Sequence, residues 1–298
     1  MHQARVASRR LREAVPVLAT GLKNTGANKA RKKIRRVTKA LGCVRELDVT
    51  ISLLDDLARQ ETVPRIALEH VRARVVQEQE RRRATMLKRL EKVNVGKLDR
   101  RLGTLSDALD KAEVDGWRET LAGRLLKRAK RLRETVEAAG QMYEAERLHA
   151  VRIAAKKLRY AMELAAETGA KAAVRPVRTL KRAQDTLGRL HDLQVLQTYV
   201  GDVQAKPAEK SVPQGGLEIL SRLLEDNCRH LHATFVSGVP ALLETVDLTR
   251  SAIVPQLARP RRSKRVLKMD LRSARPKRAS RNGAKDSSDA PIAVNEGK

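Results

Sequence analysis

Aromatic residues are nearly missing from this 298-residue chain, which has only Trp117, Tyr143, Tyr160, Tyr199 and Phe235. So few stacking platforms argue against sequence-tolerant binding of single-stranded nucleic acid through its bases. Cysteine is just as scarce. Cys43 and Cys228 lie far apart on expected helices, and without a signal peptide they read as reduced, buried thiols of a cytoplasmic protein. No run approaches the roughly 20 apolar residues of a membrane span. Nor does any amphipathic segment carry the large apolar anchors of a lipid-surface helix, so no membrane partner is expected. There is no Gly-rich phosphate loop, no nucleophile elbow, no zinc-type Cys/His spacing and no recognisable helix-turn-helix. No segment sustains the alternation of a strand, and the expected fold is all-α. Negative charge is the last shortage: 35 Asp and Glu stand against 63 Lys and Arg.

The resulting net charge of +28 is a statement about partners, and the obvious class is polyanionic. Part of it sits at the end of the chain. Residues 259–298 hold 13 Lys and Arg against four Asp and Glu, around Pro260-Arg261-Arg262-Ser263-Lys264-Arg265 and Arg275-Pro276-Lys277-Arg278. That stretch has too little apolar surface to fold and reads as a disordered basic tail: either a solubilising extension or an arm that grips polyanions such as nucleic acid. Most of the excess charge nevertheless belongs to residues 1–258, so the folded part is basic in its own right.

Within that part the chain repeats itself. Residues 2–12, H-Q-A-R-V-A-S-R-R-L-R, recur at 149–159 as H-A-V-R-I-A-A-K-K-L-R, with a cation at every position where the first copy has one. Ile34-Arg35-Arg36 pairs with Leu180-Lys181-Arg182, and the stretch from Leu41 to Val49 pairs with that from Leu187 to Val195. Each copy reads as a helix, a short break, a long basic helix with a Gly near its middle, a further break and another helix. The breaks fall at 21–28, 61–64, 169–176 and 206–216, and the helix after Pro64 is expected over 65–90. Pro16 should kink or weaken the first helix.

At about 100° per residue, His2, Arg5, Arg9 and Arg12 share one helix face. Ala4, Ala7, Leu11, Ala14, Leu18 and Leu22 gather opposite, with Val15 at their edge. In the second copy His149, Arg152, Lys156 and Arg159 face out, while Ala154, Leu158, Ala161 and Ala165 turn inward. A charge stripe is most often a solvated face, but solvated faces interleave acids because like charges at i,i+4 repel. These stripes lack that relief, which points to an external anion. The neighbouring cations also lower imidazole basicity and repel metal ions, so the His residues read as hydrogen-bond donors to an anion and no metal or cofactor is expected. Glu46, Asp48 and Asp192 read as members of internal ion pairs rather than catalytic acids.

The stretch H-A-V-R-I-A-A-K-K-L-R-Y-A-M-E from His149 to Glu163 resembles the signature of the CHAD domain, the conserved histidine α-helical domain. The stretch from His2 to Arg12, with L-G-C-V-R-E-L-D-V at 41–49, resembles its N-terminal half. The likeness extends over residues 1–250, one repeat over about 1–115 and the other over about 116–250. It implies two pseudo-symmetric antiparallel helical bundles around a basic central cleft, and binding of inorganic polyphosphate there. Some members associate with polyphosphate granules, and some are fused to a triphosphatase-like domain that is not visible here. The implication is a binder and not a hydrolase, with a polyphosphate-metabolising enzyme as a candidate partner. Carried over by position, the ligand set is His2, Arg5, Arg9 and Arg12 with His149, Arg152, Lys156 and Arg159. Lys32, Arg35 and Lys39 from the second helix join it, matched by Arg178 and Lys181, while Asp185 stands where a counterpart of Lys39 would. Arg10 and Lys157 lie off the stripe, toward the rim. In the family the first His lies within a helix, whereas His2 follows Met1 directly; either translation starts upstream or the first copy is weakened at this end. The alternative reading is a nucleic-acid-binding basic protein associated with the nucleoid or with RNA.

Overall fold

The computed structural model describes residues 2–23, 26–111, 116–205 and 214–258; the basic stretch 259–298 lies outside the described residues. Among the described residues all regular structure is helical. The helices are α1 (His2–Leu18), α2 (Ala27–Leu57), α3 (Arg65–Glu91), α4 (Val95–Lys111), α5 (Trp117–Ala139) and α6 (Ala145–Glu167). A 3₁₀ turn at Lys171–Ala173 leads into α7 (Val174–Gln204), followed by α8 (Gln214–Leu248), a π turn at Thr249–Ile253 and α9 (Val254–Ala258). No described helix is long and apolar enough to cross a membrane.

The local signals behind these boundaries are visible. Pro16, which has no N–H to offer the turn before it, lies two residues from the end of α1. Gly26 starts α2 at φ 65°, a left-handed conformation that glycine reaches without strain, and its carbonyl accepts the Ala30 N–H at 3.0 Å. Pro64 is the extended residue just before α3, and its carbonyl accepts the Leu68 N–H at 3.1 Å. The third break is shorter than expected, because Pro176 occupies the first turn of α7, where a missing N–H costs nothing. Of the fourth, residues 206–213 lie outside the described residues, and Gly215 and Gly216 belong to the start of α8. Gly42 and Gly188 sit inside α2 and α7 with nothing near the space a β-carbon would fill, and nothing in the structure requires glycine at either.

The two copies share the long basic helix, 31 residues in both α2 and α7, but they do not hold separate cores. The largest apolar cluster takes Ala14, Val17 and Leu18 from α1 and packs them with Trp117, Leu121, Leu158, Met162, Leu180 and Leu242. A second joins Leu47, Leu54, Val71 and Val75 of α2 and α3 to Leu193, Leu196, Leu220 and Leu224 of α7 and α8. A fully buried Leu contributes about 1.5–3 kcal/mol, so the second cluster, drawn about equally from both copies, ties them together, while the first lies mostly within the second copy.

The N-terminal half of α2 is different. Between Asn28 and Lys39 only Ala30 and Ile34 are buried, and Ile34 meets Val15 of α1 and Leu105 of α4 in a small cluster of their own. The remaining surface of that half is dominated by cations and stands clear of both large cores.

Candidate anion-binding site

The basic half of α2 forms one wall of a cleft of about 680 Å³, whose other walls come from α1, α5 and α6. Helix α1 contributes Arg9 and Arg12, α2 contributes Arg31, Arg35 and Lys39, and α6 contributes Lys156 and Lys157. Arg124 and Arg128 of α5 complete a set of nine cations. The one carboxylate in the lining, Glu13, is already engaged: its oxygens lie 2.7 Å from Arg128 and 3.5 Å from Arg124. The Arg128 guanidinium also donates to the Lys157 carbonyl at 2.7 Å, fixing α5 against α6. Tyr160 adds a hydroxyl, which accepts from Arg9 at 3.4 Å.

The expected stripes therefore look out to solvent only in part: Arg12 and His149 are exposed, whereas Arg5, Arg9, Arg152, Lys156 and Arg159 are half-buried. In α6 the inward side is as anticipated, with Ala154, Leu158, Ala161 and Ala165 all buried. That geometry leaves Arg152 and Lys156 on the flank that meets α1. In α1, Ala14 and Leu18 are buried but Ala4 is exposed, while Ser8 and Glu13 are buried instead. The cause is uneven apolar content: the buried hydrophobic residues of α1 all lie from Ala14 onward, so the earlier turns rest on Arg and Tyr side chains. Arg5 and Arg9 end up half-buried beside Arg152 and Lys156.

Crowding of like charge leaves a mark on basicity. Burial first, then Arg152, Arg9, Arg12 and Arg5, lower the Lys156 ammonium to about 8. Burial, Arg9 and Arg45 bring the Arg5 guanidinium down to about 10, and its buried Nη1 has no hydrogen-bond partner. Arg152 is lowered chiefly by burial, against the opposing pull of Asp192. Such a site has unmet demand for negative charge, since desolvated cations without anions are disfavoured.

At the far end of α6, His149 lies 4.8 Å from His191, ring centre to ring centre. Burial, followed by His191, Arg152 and Lys156, holds His149 below its ordinary value. Glu46 lies 3.2 Å from Arg82 and 3.7 Å from His191, and the nearby His191 is the main reason its carboxyl is held low. Asp48 accepts from Gln79 at 2.9 Å. Asp192 is raised by burial despite Arg152 nearby. Cys43 and Cys228 are both free thiols, Cys43 only half-buried. Among the described residues no group of three or more His, Cys, Asp or Glu is placed to hold a metal ion.

Of the residues singled out from the sequence, Arg9, Arg12, Arg35, Lys39 and Lys156 line the cleft together. Arg5 and Arg152 extend the same positive band beyond it, each lowered by burial and by Arg9, and His149 stands near Arg152. The His2 side chain lies outside the described residues. Arg159 is diverted: it pairs with Glu163, donates to Gln184 at 2.7 Å and stacks on the Tyr160 ring at 4.7 Å. Lys32, Arg178 and Lys181 are exposed and take no part in the lining. Sequence reasoning missed Arg31, Arg124 and Arg128. Arg31 was available as the residue one turn before Arg35. The α5 pair, spaced i,i+4, lies outside the matching stretches of the two copies, so a search by repeat passes over it.

No curated protein matches the chain. A family model, CHAD domain, matches residues 1–201, from α1 to within the last turn of α7. That span takes in every wall of the cleft and both copies of the histidine-plus-cation stretch, and the chain belongs to the CHAD domain family.

Proposed function

We propose that the chain is a non-catalytic binder of inorganic polyphosphate, held in the cleft between α1, α2, α5 and α6. The observation that carries this reading is the balance of the lining: nine cations from four helices, with the one carboxylate among them committed to two arginines. A linear polyanion with a charge at each phosphate would offer every wall a charge-assisted partner. Arg supplies forked donors to successive phosphates and Lys a mobile point charge. His149, held below its ordinary value in the free protein, would donate a hydrogen bond to such a chain or take up a proton beside it. Membership of the CHAD family, which is associated with polyphosphate binding, supports the same ligand. Association with polyphosphate granules, and delivery of the polymer to a separate polyphosphate-metabolising enzyme, follow as roles for such a binder.

The test is a binding assay at about 0.2 M salt, where non-specific phosphate contacts are strongly weakened. Labelled long-chain polyphosphate is bound to the full chain and to the variant R12A/R35A/K39A, three exposed positions whose loss leaves the cores intact. The expected result is a loss of roughly 100-fold in affinity with an unchanged helical circular dichroism spectrum. A folded variant that still binds as well as the parent removes the cleft from consideration. Duplex DNA added at equal phosphate separates the competing reading: ready displacement by DNA makes the cations a generic polyanion surface.

A further inference from the structure

A second concentration of positive charge lies on the other flank of α2, and of its residues only Arg36 falls within the repeated stretches. Around the α2 axis, Arg31, Arg35 and Lys39 span about 80° and face the cleft. Arg36 and Lys33 follow about 100° and 160° further round from Arg35. Exposed Lys32 stands between the two groups, so the helix carries a nearly unbroken cationic belt from the cleft to the opposite side.

On that opposite side stands α4. Leu98, Leu102 and Leu105 pack it against Ile34 and Val15. With these leucines turned inward, Lys97, Arg100 and Arg101 fall on an adjoining stripe at i, i+3 and i+4. Asp99 lies about 160° from Lys97 around the helix and does not interrupt that stripe. The stripe is pinned next to α2 at two points. Lys33 Nζ donates to the Asn94 carbonyl at 3.3 Å, and the Asn94 side-chain oxygen accepts the Lys97 N–H at 2.7 Å. The Arg101 stem lies over Gly26, with Cγ 3.6 Å from where a β-carbon would sit. The Lys33 ammonium registers the crowding: partial loss of water, then Arg101, Lys97, Arg36 and Arg100, lower its basicity.

We propose that Lys33 and Arg36 of α2, with Lys97, Arg100 and Arg101 of α4, form a second polyanion-binding track outside the cleft. It takes the part of a long polyphosphate chain that leaves the cleft over Lys32. The proposal rests on the cleft being the polyphosphate site. Crossing the outside of a helix of 10–12 Å diameter takes roughly 15–20 Å of chain. A short oligophosphate in the cleft cannot reach the track, whereas a long polymer engages both. The track thus converts a site for phosphate oligomers into one that prefers long chains, through the effective-concentration gain of a tethered second contact.

The experiment compares tripolyphosphate with long-chain polyphosphate on the full chain, at physiological ionic strength. In K33Q/K97Q/R100Q/R101Q, long-chain affinity is expected to fall at least about tenfold, while tripolyphosphate affinity stays within about twofold. The double variant K97E/R100E, confined to two exposed positions, repeats the test should the fourfold change disturb folding. Unchanged long-chain affinity overturns the track, and so does an equal loss for both ligands, which would mark a diffuse field effect. Loss of duplex DNA binding with long-chain polyphosphate retained assigns the patch to nucleic acid and also overturns it. The cleft variant R12A/R35A/K39A runs alongside. If it keeps both phosphate ligands, the reading of the cleft fails by itself. If it loses both while the track variants lose neither, only the track fails.

Discussion

Lys156 carries its charge at a cost to the folded state. Its ammonium titrates near 8 in the native protein against 10.5 in an unfolded chain. Below pH 8 both states are protonated and the full penalty of burying the charge applies. Between pH 8 and about 10.5 the unfolded chain holds more protons than the native one, so stability contributed by this site rises with pH. Anion binding works in the opposite sense, because it needs the protonated form. Polyphosphate affinity should therefore weaken as pH climbs through 8, while the unliganded protein gains stability; titration calorimetry and thermal melts over pH 7–10 check both. Lys156→Met should melt roughly 2–4 °C higher at pH 7, discounting for partial exposure, and lose polyphosphate affinity. Glu13→Gln should do the reverse. Removing the carboxylate leaves Arg124 and Arg128 unrelieved, lowering the melting temperature by about 2–6 °C. It also releases two arginines for the ligand, so affinity should rise.

At the level of single helices, the sequence was informative where apolar spacing was dense and silent where it was not. α3 runs over 65–91 against an expectation of 65–90, because Pro64 and the spacing of Leu68, Val71 and Val75 leave little freedom. The inward face of α6 was equally readable. For α1, periodicity correctly grouped Arg5, Arg9 and Arg12, but it could not tell solvent from a cavity lined by another helix's cations. Arg159 illustrates the same limit in part: its pairing with Glu163, at i,i+4 on α6, was legible in the sequence, but only the packing of α6 on α7 brings it to Gln184. α4 makes a prediction that belongs to the element itself. Its first turn holds Lys97 and no acid, the wrong sign for the helix dipole. Lys97→Glu should stabilise the protein by about 0.3–1 kcal/mol, visible as a small rise in melting temperature at low salt.

For the whole molecule, net charge points to a class of partner, and the repeated stretches supply Arg9, Arg12, Arg35, Lys156 and Lys157 to the lining of the cleft. Neither could show that a pair of arginines on α5 closes the cleft, since contacts across the chain leave no trace in local spacing. Charge on this scale also governs how binding responds to salt. For a single-stranded polyanion each phosphate contact contributes about 0.7 to the slope of log K against log salt. Removing three cleft cations in R12A/R35A/K39A should flatten that slope by about 2, a change measurable independently of absolute affinity.

The sharing of cores between the two copies bears on how the protein comes into being. Ala14, Val17 and Leu18 near the start of the chain join a core built mainly by α5 to α9, and α2 and α3 find many of their partners in α7 and α8. As the chain leaves the ribosome, its first hundred or so residues emerge with apolar faces uncovered and basic surfaces adjacent, and they must wait for the second half. The early half is thus a folding intermediate by construction, exposed to proteases and to stray polyanions until synthesis is nearly complete. Contacts so distant along the chain also make for slow closure. A fragment ending near residue 111 should show partial helicity and rapid proteolysis, and the full chain sharp, single-step unfolding. The duplication that built this protein left the second copy with a core nearly its own and the first with one that is partly borrowed.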